Sequence, residues 1–171
     1  MPFGCGGGGA IGLEDGTSKD SHIPIRVMED VVAVYAGWAV ITSDNVLRRW
    51  TDGSPIADDV IAASFSGDTF MVITSDGTLW GRGSNNSGAL GDGTRNNRRE
   101  PIKIMENVVS VSTSGRHTLA VTSDGNLWAW GENSLGQLGI GTHRGQYEAA
   151  RGLRETFWLS PIMVMEYVPE G

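Results

Sequence analysis

Thr74-Ser-Asp-Gly-Thr-Leu-Trp80 and Thr122-Ser-Asp-Gly-Asn-Leu-Trp128 are two nearly identical segments of this 171-residue chain. Their first residues are 48 positions apart, and a degenerate third copy, Thr42-Ser-Asp-Asn-Val-Leu47, begins 32 positions before Thr74. Self-similarity at a spacing of roughly 20–50 residues indicates a repeat architecture, in which each repeat is one supersecondary unit. The fold is therefore predicted from the repeat rather than from single segments.

The similarity between the copies extends well beyond this Thr-Ser-Asp-Gly motif, which we call the phrase. A proline-led segment occurs four times, as Pro24–Val31, Pro55–Val60, Pro101–Val108 and Pro161–Val168. A glycine-rich segment occurs as Gly83–Thr94 and Gly131–Thr142, and Gly9–Thr17 matches its end. The copy that starts at Thr42 lacks the glycine-rich segment, which explains the shorter step between the first two copies.

Each repeat is predicted to contain four short strands. In the last copy these are Val108–Ser112, Thr118–Thr122, Asn126–Trp130 and Pro161–Met165. Asp124-Gly125 predicts a tight hairpin, because both central residues of such a turn favour positive φ. Repeated four-stranded meanders are typical of propellers. The sequence therefore predicts an all-β fold of β-propeller blades with four antiparallel strands each. About three blades are expected, which is a partial or oligomer-completed propeller.

The repeat register divides the chain into six segments. Residues 1–17 are the Gly-rich end of a partial repeat, followed by a degenerate first blade (18–54), a second blade (55–100) and a third blade (101–142). Residues 143–160 are an insertion, and residues 161–171 start a further repeat. In the insertion, the spacing of Tyr147, Ala150, Leu153 and Phe157 predicts a short amphipathic helix. That helix could dock a partner or cover an exposed blade face.

Residues 108–142 resemble the repeat of the regulator of chromosome condensation family. They carry the family's histidine at His117, its Asp-Gly hairpin, its aromatic pair at Trp128 and Trp130, and the glycine-rich run Gly136-Gln-Leu-Gly139. The repeat pattern extends over about residues 9–168. The resemblance implies a seven-bladed propeller that recognises other proteins through its loops.

The other two units depart from this pattern. In the second unit, Thr69 replaces the histidine and Arg82 replaces the second aromatic residue; in the first unit, Arg48 stands where the others have tryptophan. Three inner sets of strands cannot close a seven-bladed ring. The chain is therefore expected to be part of a longer propeller, to associate with copies of itself, or to form an arc capped by its own segments.

Composition narrows the classes of partner. The net charge is −7, so direct binding to phosphate backbones of nucleic acid is disfavoured. Cys5 is the single cysteine, which excludes an intrachain disulfide, and no stretch approaches the roughly 20 apolar residues of a membrane span. The N-terminus lacks a secretory signal pattern, so a cytoplasmic location without membrane association is predicted by default.

No set of residues assembles a catalytic site or a cofactor site in the sequence. His117 has no second ligand or base at metal-binding or catalytic spacing, and it is expected to hold the neighbouring turn in shape. The glycine-rich run at 131–141 lacks the lysine of a phosphate loop. Asp58 and Asp59 are adjacent and would point to opposite faces of a strand. We therefore expect no enzyme activity, no cofactor and no metal.

Two regions remain as candidates for binding a partner. The first is the set of turns between the first and second strands of each blade, because variable loops on a rigid scaffold usually carry recognition. The second is the insertion at 143–160. The predicted partner-binding residues are Trp38, Asp68, Thr69, Arg116, His117, Arg151, Arg154, Phe157 and Trp158.

The function predicted from these features is a non-catalytic protein–protein interaction module that recognises a partner through propeller loops. Three alternatives stay open: a secreted propeller that inhibits an enzyme, a regulator similar to guanine-nucleotide exchange factors, and a self-assembling structural fragment. A homo-oligomer that completes a propeller belongs to the last of these. The identity of the protein partner does not follow from the sequence.

Overall fold

The computed structural model describes residues 24, 26–35, 38–141 and 157–165. These residues form three antiparallel sheets of four strands each, and consecutive strands are neighbours throughout. The first sheet contains β1 (Val31–Tyr35), β2 (Ala39–Thr42), β3 (Leu47–Arg49) and β4 (Pro55–Ala57). The second contains β5 (Val60–Ser66), β6 (Thr69–Thr74), β7 (Leu79–Gly83) and β8 (Arg98–Met105). The third contains β9 (Val108–Thr113), β10 (His117–Thr122), β11 (Leu127–Glu132) and β12 (Phe157–Met165).

This architecture confirms the predicted fold class of four-stranded propeller blades, with three blades in the described part of the chain. Each proline-led segment forms the fourth strand of a sheet and pairs with the third strand of that sheet, as β8 does with β7. The sheets therefore meet at residues 58–59 and 106–107, whereas the repeat register divided the chain at 55 and 101. The two differ because a sequence repeat has no intrinsic starting point, and hydrogen bonding assigns the proline-led segment to the preceding sheet.

The Thr-Ser-Asp-Gly phrase forms the predicted hairpin between the second and third strands. In the third sheet, the Thr122 hydroxyl donates to Asp124 Oδ1 at 2.6 Å, and Gly125 has a φ of 86°. Asn45 takes the same position in the first sheet with a φ of 61°, which asparagine tolerates better than most residues. The phrase is therefore explained by turn chemistry.

Arg48 replaces a tryptophan in the first sheet while keeping its hydrogen bond. In the third sheet, Trp128 Nε1 donates to the Thr122 hydroxyl oxygen at 3.1 Å. In the first sheet, Arg48 Nε donates to the Thr42 hydroxyl oxygen at the same distance. Both side chains donate an N–H group to the equivalent threonine hydroxyl, so the substitution conserves the contact that holds the hairpin. Arg48 also pairs with Asp44, and hydrogen bonds from Thr42 and Arg48 lower the pKa of Asp44 to about 2.

The core consists of two layers, one between each pair of neighbouring sheets. The layer between the first and second sheets contains Ala39, Ile41, Leu47, Val60 and Ala63. The layer between the second and third sheets contains Met71, Ile73, Leu79, Leu90, Val108, Ala120 and Trp130. Burial of these side chains stabilises face-to-face stacking of the sheets, by roughly 1.5–3 kcal/mol for each large aliphatic residue. No helix in the described residues is long and apolar enough to cross a membrane.

Neighbouring sheets are also joined by backbone hydrogen bonds at the hairpin end. The Val60 N–H donates to the Asn45 carbonyl at 2.7 Å, and the Val108 N–H donates to the Gly77 carbonyl at 2.8 Å. In each case the hairpin of one sheet accepts from the first strand of the next. The repeated phrase therefore fixes the contact between sheets as well as the turn within one sheet.

Candidate functional site

The turns that join the first and second strands lie at one end of the three sheets, because each sheet is an antiparallel meander with the same strand order. The turns of the second and third sheets contact each other. The Thr113 N–H donates to the Ser64 hydroxyl at 2.9 Å, and a Cβ atom at Gly115 would lie 3.0 Å from the Ser66 carbonyl oxygen. In the first sheet, residues 36–37 of this turn lie outside the described residues. We call this end of the molecule the turn end.

His117 and Arg116 lie in the turn of the third sheet. His117 Nδ1 is 2.8 Å from the Ser114 hydroxyl, and that hydroxyl accepts hydrogen bonds from the backbone N–H groups of Arg116 and His117. Burial lowers the pKa of His117, and the nearby Glu132 carboxylate opposes this effect. The Arg116 side chain is 74% exposed and lies 3.4 Å from Glu132. His117 therefore positions the turn, whereas Arg116 presents a charge to solvent.

Asp68 and Thr69 have different environments in the turn of the second sheet. The Thr69 side chain is 1% exposed and its hydroxyl donates to the Ser84 carbonyl at 3.0 Å. Asp68 is exposed, and its backbone carbonyl accepts the Ser84 N–H at 2.9 Å. Thr69 therefore connects the turn to the end of β7, and of these two predicted residues Asp68 is the one whose side chain solvent reaches.

Trp38 belongs to a cluster of four aromatic rings that the sequence analysis did not predict. Its ring centroid lies 5.0 Å from that of Phe65 and 5.7 Å from that of Phe70. Phe65 and Phe70 are 5.5 Å apart, and Tyr35 meets Phe65 edge-on at 6.1 Å. All four residues are half-buried. Tyr35 and Trp38 come from the first sheet and the phenylalanines from the second, so the aromatic cluster lies at the junction between the two sheets.

Arg82 on β7 extends this cluster. Its guanidinium carbon lies 5.4 Å from the centroid of the Phe70 ring, and Phe70 and Arg82 are direct cross-strand partners. A cation over an aromatic face is attracted by the ring quadrupole, by about 0.5–1 kcal/mol at an exposed site. Arg82 is half-buried, so part of it remains accessible to solvent.

The junction between the second and third sheets is built differently. A loop at residues 84–97 joins β7 to β8, and its Ala89 carbonyl accepts hydrogen bonds from the Thr118 hydroxyl and Trp130 Nε1, both at 2.8 Å. Trp130 is fully buried, and a Cβ atom at Gly91 would lie 2.6 Å from its Nε1 atom. The loop therefore closes over the tryptophan of the next sheet, and only a glycine fits at position 91.

The loop at residues 84–97 is held in shape by its own polar side chains. Asn85 is 1% exposed; its side-chain N–H group donates to Asp92 at 2.9 Å, and its side-chain oxygen accepts the Leu90 N–H at 2.9 Å. Burial raises the pKa of Asp92, but hydrogen bonds from Thr94 and Arg98 outweigh it and leave that pKa below its usual value. Asp92 is therefore ionised at neutral pH and fixes the base of the loop.

The departures from the repeat pattern at the first junction follow from a missing loop. At the 48-residue spacing, Phe65, Phe70 and Arg82 correspond to Thr113, Thr118 and Trp130. The first sheet joins β3 to β4 with residues 50–54 alone, so it offers no carbonyl for a threonine and a tryptophan to bind. Aromatic side chains and an arginine fill this space instead. The sequence does indicate this cluster: the first repeat lacks the glycine-rich segment, and the next repeat departs from the pattern at the three positions that would contact it.

The remaining predicted residues belong to the insertion. Arg151 and Arg154 lie outside the described residues. Phe157 and Trp158 lie in β12, opposite Glu132 and Gly131, and Phe157–Ser160 form the first part of that strand. Phe157, which the sequence spacing assigned to a helix, is therefore in a strand. Both residues lie on the edge strand of the third sheet, and their partners Glu132 and Gly131 are neighbours of Arg116 and His117, so the start of β12 lies at the turn end of this sheet.

In the part of the chain that the structure describes, no group of three or more His, Cys, Asp or Glu side chains is arranged to hold a metal ion. The titratable residues with shifted pKa values in this part are His117 and five aspartates. Burial lowers the pKa of His117, and hydrogen bonds from neighbouring turn or loop groups lower the pKa values of the aspartates. The five are Asp44, Asp52, Asp76, Asp92 and Asp124.

Comparison with solved structures gives the same fold. The chain is similar to human WBSCR16, with 23% identity and a TM-score of 0.51 over 72% of this chain and 29% of that one. It is similar to Prp20p from Saccharomyces cerevisiae, with 17% identity and a TM-score of 0.55 over 75% of this chain and 36% of that one. A chain of the complex of Kap60 bound to yeast RCC1 (Prp20) matches with 15% identity and a TM-score of 0.54, over 77% and 33%. At such identities the likeness shows the fold alone, and the chain spans about a third of these proteins' length.

Comparison with protein families identifies the repeat. One model of the regulator of chromosome condensation (RCC1) repeat matches residues 108–137, and a second matches residues 76–121 and 124–156. No match was found among curated protein sequences. The matched residues include the hairpins and the glycine-rich segments of the second and third sheets. Residues 76–156 therefore carry repeats of the regulator of chromosome condensation family.

Proposed function

We propose that the protein is a non-catalytic interaction module that binds another protein at the turn end, with the aromatic cluster and Arg82 at the centre of the contact. Tryptophan, tyrosine and arginine are the residue types that most often dominate the binding energy of protein interfaces. Here they come together at the junction between the first and second sheets, where they are half-buried and thus already held in place. Little conformational entropy would be lost when a partner covers them.

The rim of the proposed surface carries charged groups. Asp68 and Arg116 are exposed on the neighbouring turns, and Arg116 lies beside Glu132. Exposed charges at a rim contribute to orientation and to the rate of association more than to affinity. An apolar centre with a charged rim is the usual arrangement of a protein-binding surface. The net charge of −7 favours a neutral or basic protein partner over nucleic acid.

Similar proteins support a partner of this class. The structure of Prp20p is described together with its binding to Gsp1p and histones, and yeast RCC1 (Prp20) is seen bound to Kap60. The analogy with those proteins supports a role of the present chain in protein recognition. Its cytoplasmic location stays a prediction.

The single observation that carries the proposal is the accessible cluster of Trp38, Phe70 and Arg82, and a capture experiment tests it. The tagged protein is incubated with extract of its source organism, and bound proteins are quantified for the wild type, Trp38→Ala, Arg82→Ala and a control, Lys103→Ala. Lys103 is exposed on β8, outside the turn end. We expect a set of proteins enriched by the wild type and by the control, and reduced at least about tenfold by both cluster variants, since truncation of a hot-spot residue costs about 2 kcal/mol or more and about 1.4 kcal/mol is tenfold.

Binding of the enriched protein is then measured with the purified components. The proposal fails if every enriched protein binds the two cluster variants as tightly as the wild type. A cooperative thermal unfolding transition of Arg82→Ala that lies well above the temperature of the binding experiment separates a loss of contact from a loss of fold. Trp38→Phe retains an aromatic ring and is expected to recover part of the affinity.

A further inference from the structure

The outward face of the third sheet repeats a surface that is covered in the second sheet. Met71, Ile73 and Leu79 of the second sheet have no exposed surface, because the third sheet lies on them. Their counterparts, 48 residues further along the chain, are Leu119, Val121 and Leu127, and all three are half-buried. In the described part of the chain, no further sheet covers them.

The loop of the third sheet shows the same difference. Gly91, which packs against the Trp130 ring, is buried. Gly139, the counterpart of Gly91 in the third sheet, is exposed. Leu138, the counterpart of Leu90, is buried in its own sheet, and Asn133 accepts the Leu138 N–H at 3.1 Å. The loop is thus formed and has the shape that receives a tryptophan in the sheet before it.

The opposite face, that of the first sheet, is exposed at Val34 and covered at Val40, which is 5% exposed. Val34 corresponds to Ala63 and Val111, which lie in the layers between sheets, but Val34 itself is 70% exposed. Val34 pairs with Val40, and Val40 pairs with Arg48, so these residues share one face of the sheet. Trp50 stands at the position of Trp130 in the repeat. The first sheet therefore presents the kind of face that the third sheet presents to the second.

We infer that the outward face of the third sheet binds the outward face of the first sheet of a second copy of this chain, head to tail. The contact continues the interface that already joins the second and third sheets, with aliphatic residues against aliphatic residues and a tryptophan against the glycine of the loop. The third sheet already has its own outer strand, β12, paired with β11, so the contact between copies needs no exchange of a strand. This inference does not depend on the proposed partner site, which lies between the first and second sheets.

A head-to-tail contact uses two different surfaces, and this makes a decisive mixing experiment possible. Leu119→Asp blocks the face of the third sheet and leaves that of the first sheet intact, and Val34→Asp does the reverse. The probe is the purified chain itself. Its mass is measured by light scattering after gel filtration at concentrations from about 1 μM to about 1 mM, which spans the usual range of weak to firm association. Val109→Asp, at a valine on β9 that is 54% exposed, is the matched control.

We expect the wild type and Val109→Asp to reach at least twice the mass of one chain as the concentration rises. Each face variant alone is expected to remain a monomer, with its dissociation constant raised at least about tenfold, since a buried unpaired carboxylate costs more than 1.4 kcal/mol. An equimolar mixture of the two is expected to form a dimer of one copy of each and nothing larger, because each contributes one intact face.

The inference is overturned if the wild type stays a monomer up to 1 mM, if Val109→Asp abolishes association as the face variants do, or if the mixture does not form the mixed dimer. Circular dichroism and thermal unfolding check that the variants fold. Should Leu119→Asp unfold, Leu119→Ser removes the same aliphatic contact with a smaller perturbation and takes its place in the mixture.

Discussion

The two junctions between sheets use the same scaffold positions for different purposes. At the junction of the second and third sheets, the Ala89 carbonyl binds Thr118 and Trp130, and the indole is completely buried. At the junction of the first and second sheets, the corresponding positions hold Phe70 and Arg82, which are half-buried beside Trp38. One junction is closed by a loop and the other is left accessible. The loop between the third and fourth strands of one sheet therefore determines which side chains the next sheet can bury.

The largest expected effect separates the closed junction from the accessible one. Trp130→Ala removes a fully buried indole and should reduce the free energy of unfolding by about 3–5 kcal/mol. Trp38→Ala, at a half-buried ring, should cost less than half as much. Urea unfolding monitored by circular dichroism gives both values. Equal losses for the two variants would show that the junctions do not differ in this way.

A smaller effect tests the contact between loop and indole at the closed junction. Gly91 has a φ of 80°, and a methyl group there would meet the Trp130 ring, so Gly91→Ala combines backbone strain with overpacking. Gly53 has a φ of 67° with no atom within 4 Å of the position of a Cβ atom, so Gly53→Ala measures strain alone. We expect Gly91→Ala to be more destabilising by about 1–3 kcal/mol in the same urea experiment. A difference near zero would contradict the close approach.

The smallest effect concerns the accessible junction. Arg82→Ala removes the cation over the Phe70 ring and should reduce the free energy of unfolding by about 0.5–1 kcal/mol. Arg116→Ala, at a 74% exposed side chain, should change it by no more than about 0.5 kcal/mol. Thermal unfolding of both variants supplies the comparison. If Arg82→Ala were as destabilising as Trp130→Ala, the first junction would be a core and not a surface.

Much of the fold could be predicted because it depends on local turn chemistry. The Asp-Gly pair, as at Asp124-Gly125, favours a hairpin in each repeat. Three copies of this hairpin, each flanked by strand-like segments, predict three four-stranded sheets. The proline-led segment Pro161–Met165 is likewise predicted as the fourth strand of its sheet, and it lies in β12. The exact boundaries between sheets, at residues 58–59 and 106–107, could not be predicted, since a repeat register does not fix where one sheet ends and the next begins.

The candidate site could be predicted only in part. Trp38 is half-buried and Arg116 is exposed at the turn end, and their role in binding stays a prediction, whereas Thr69 is buried and His117 holds its turn. The roles of Phe65, Phe70 and Arg82 depend on a loop that is missing from the other sheet, far away in sequence. A residue-by-residue comparison with the repeat pattern records each substitution, but it does not show that the three substitutions share one cause.

Exchange of the indole N–H protons tests the difference between the junctions most directly. The Trp130 and Trp38 signals are assigned in nitrogen-15 spectra by their loss in Trp130→Phe and Trp38→Phe, and their decay is followed after transfer to heavy water. The Trp130 N–H donates to Ala89 inside the core and should persist long after the Trp38 signal has disappeared. Exchange of Trp130 as fast as that of Trp38 would contradict the closure of the junction by the loop.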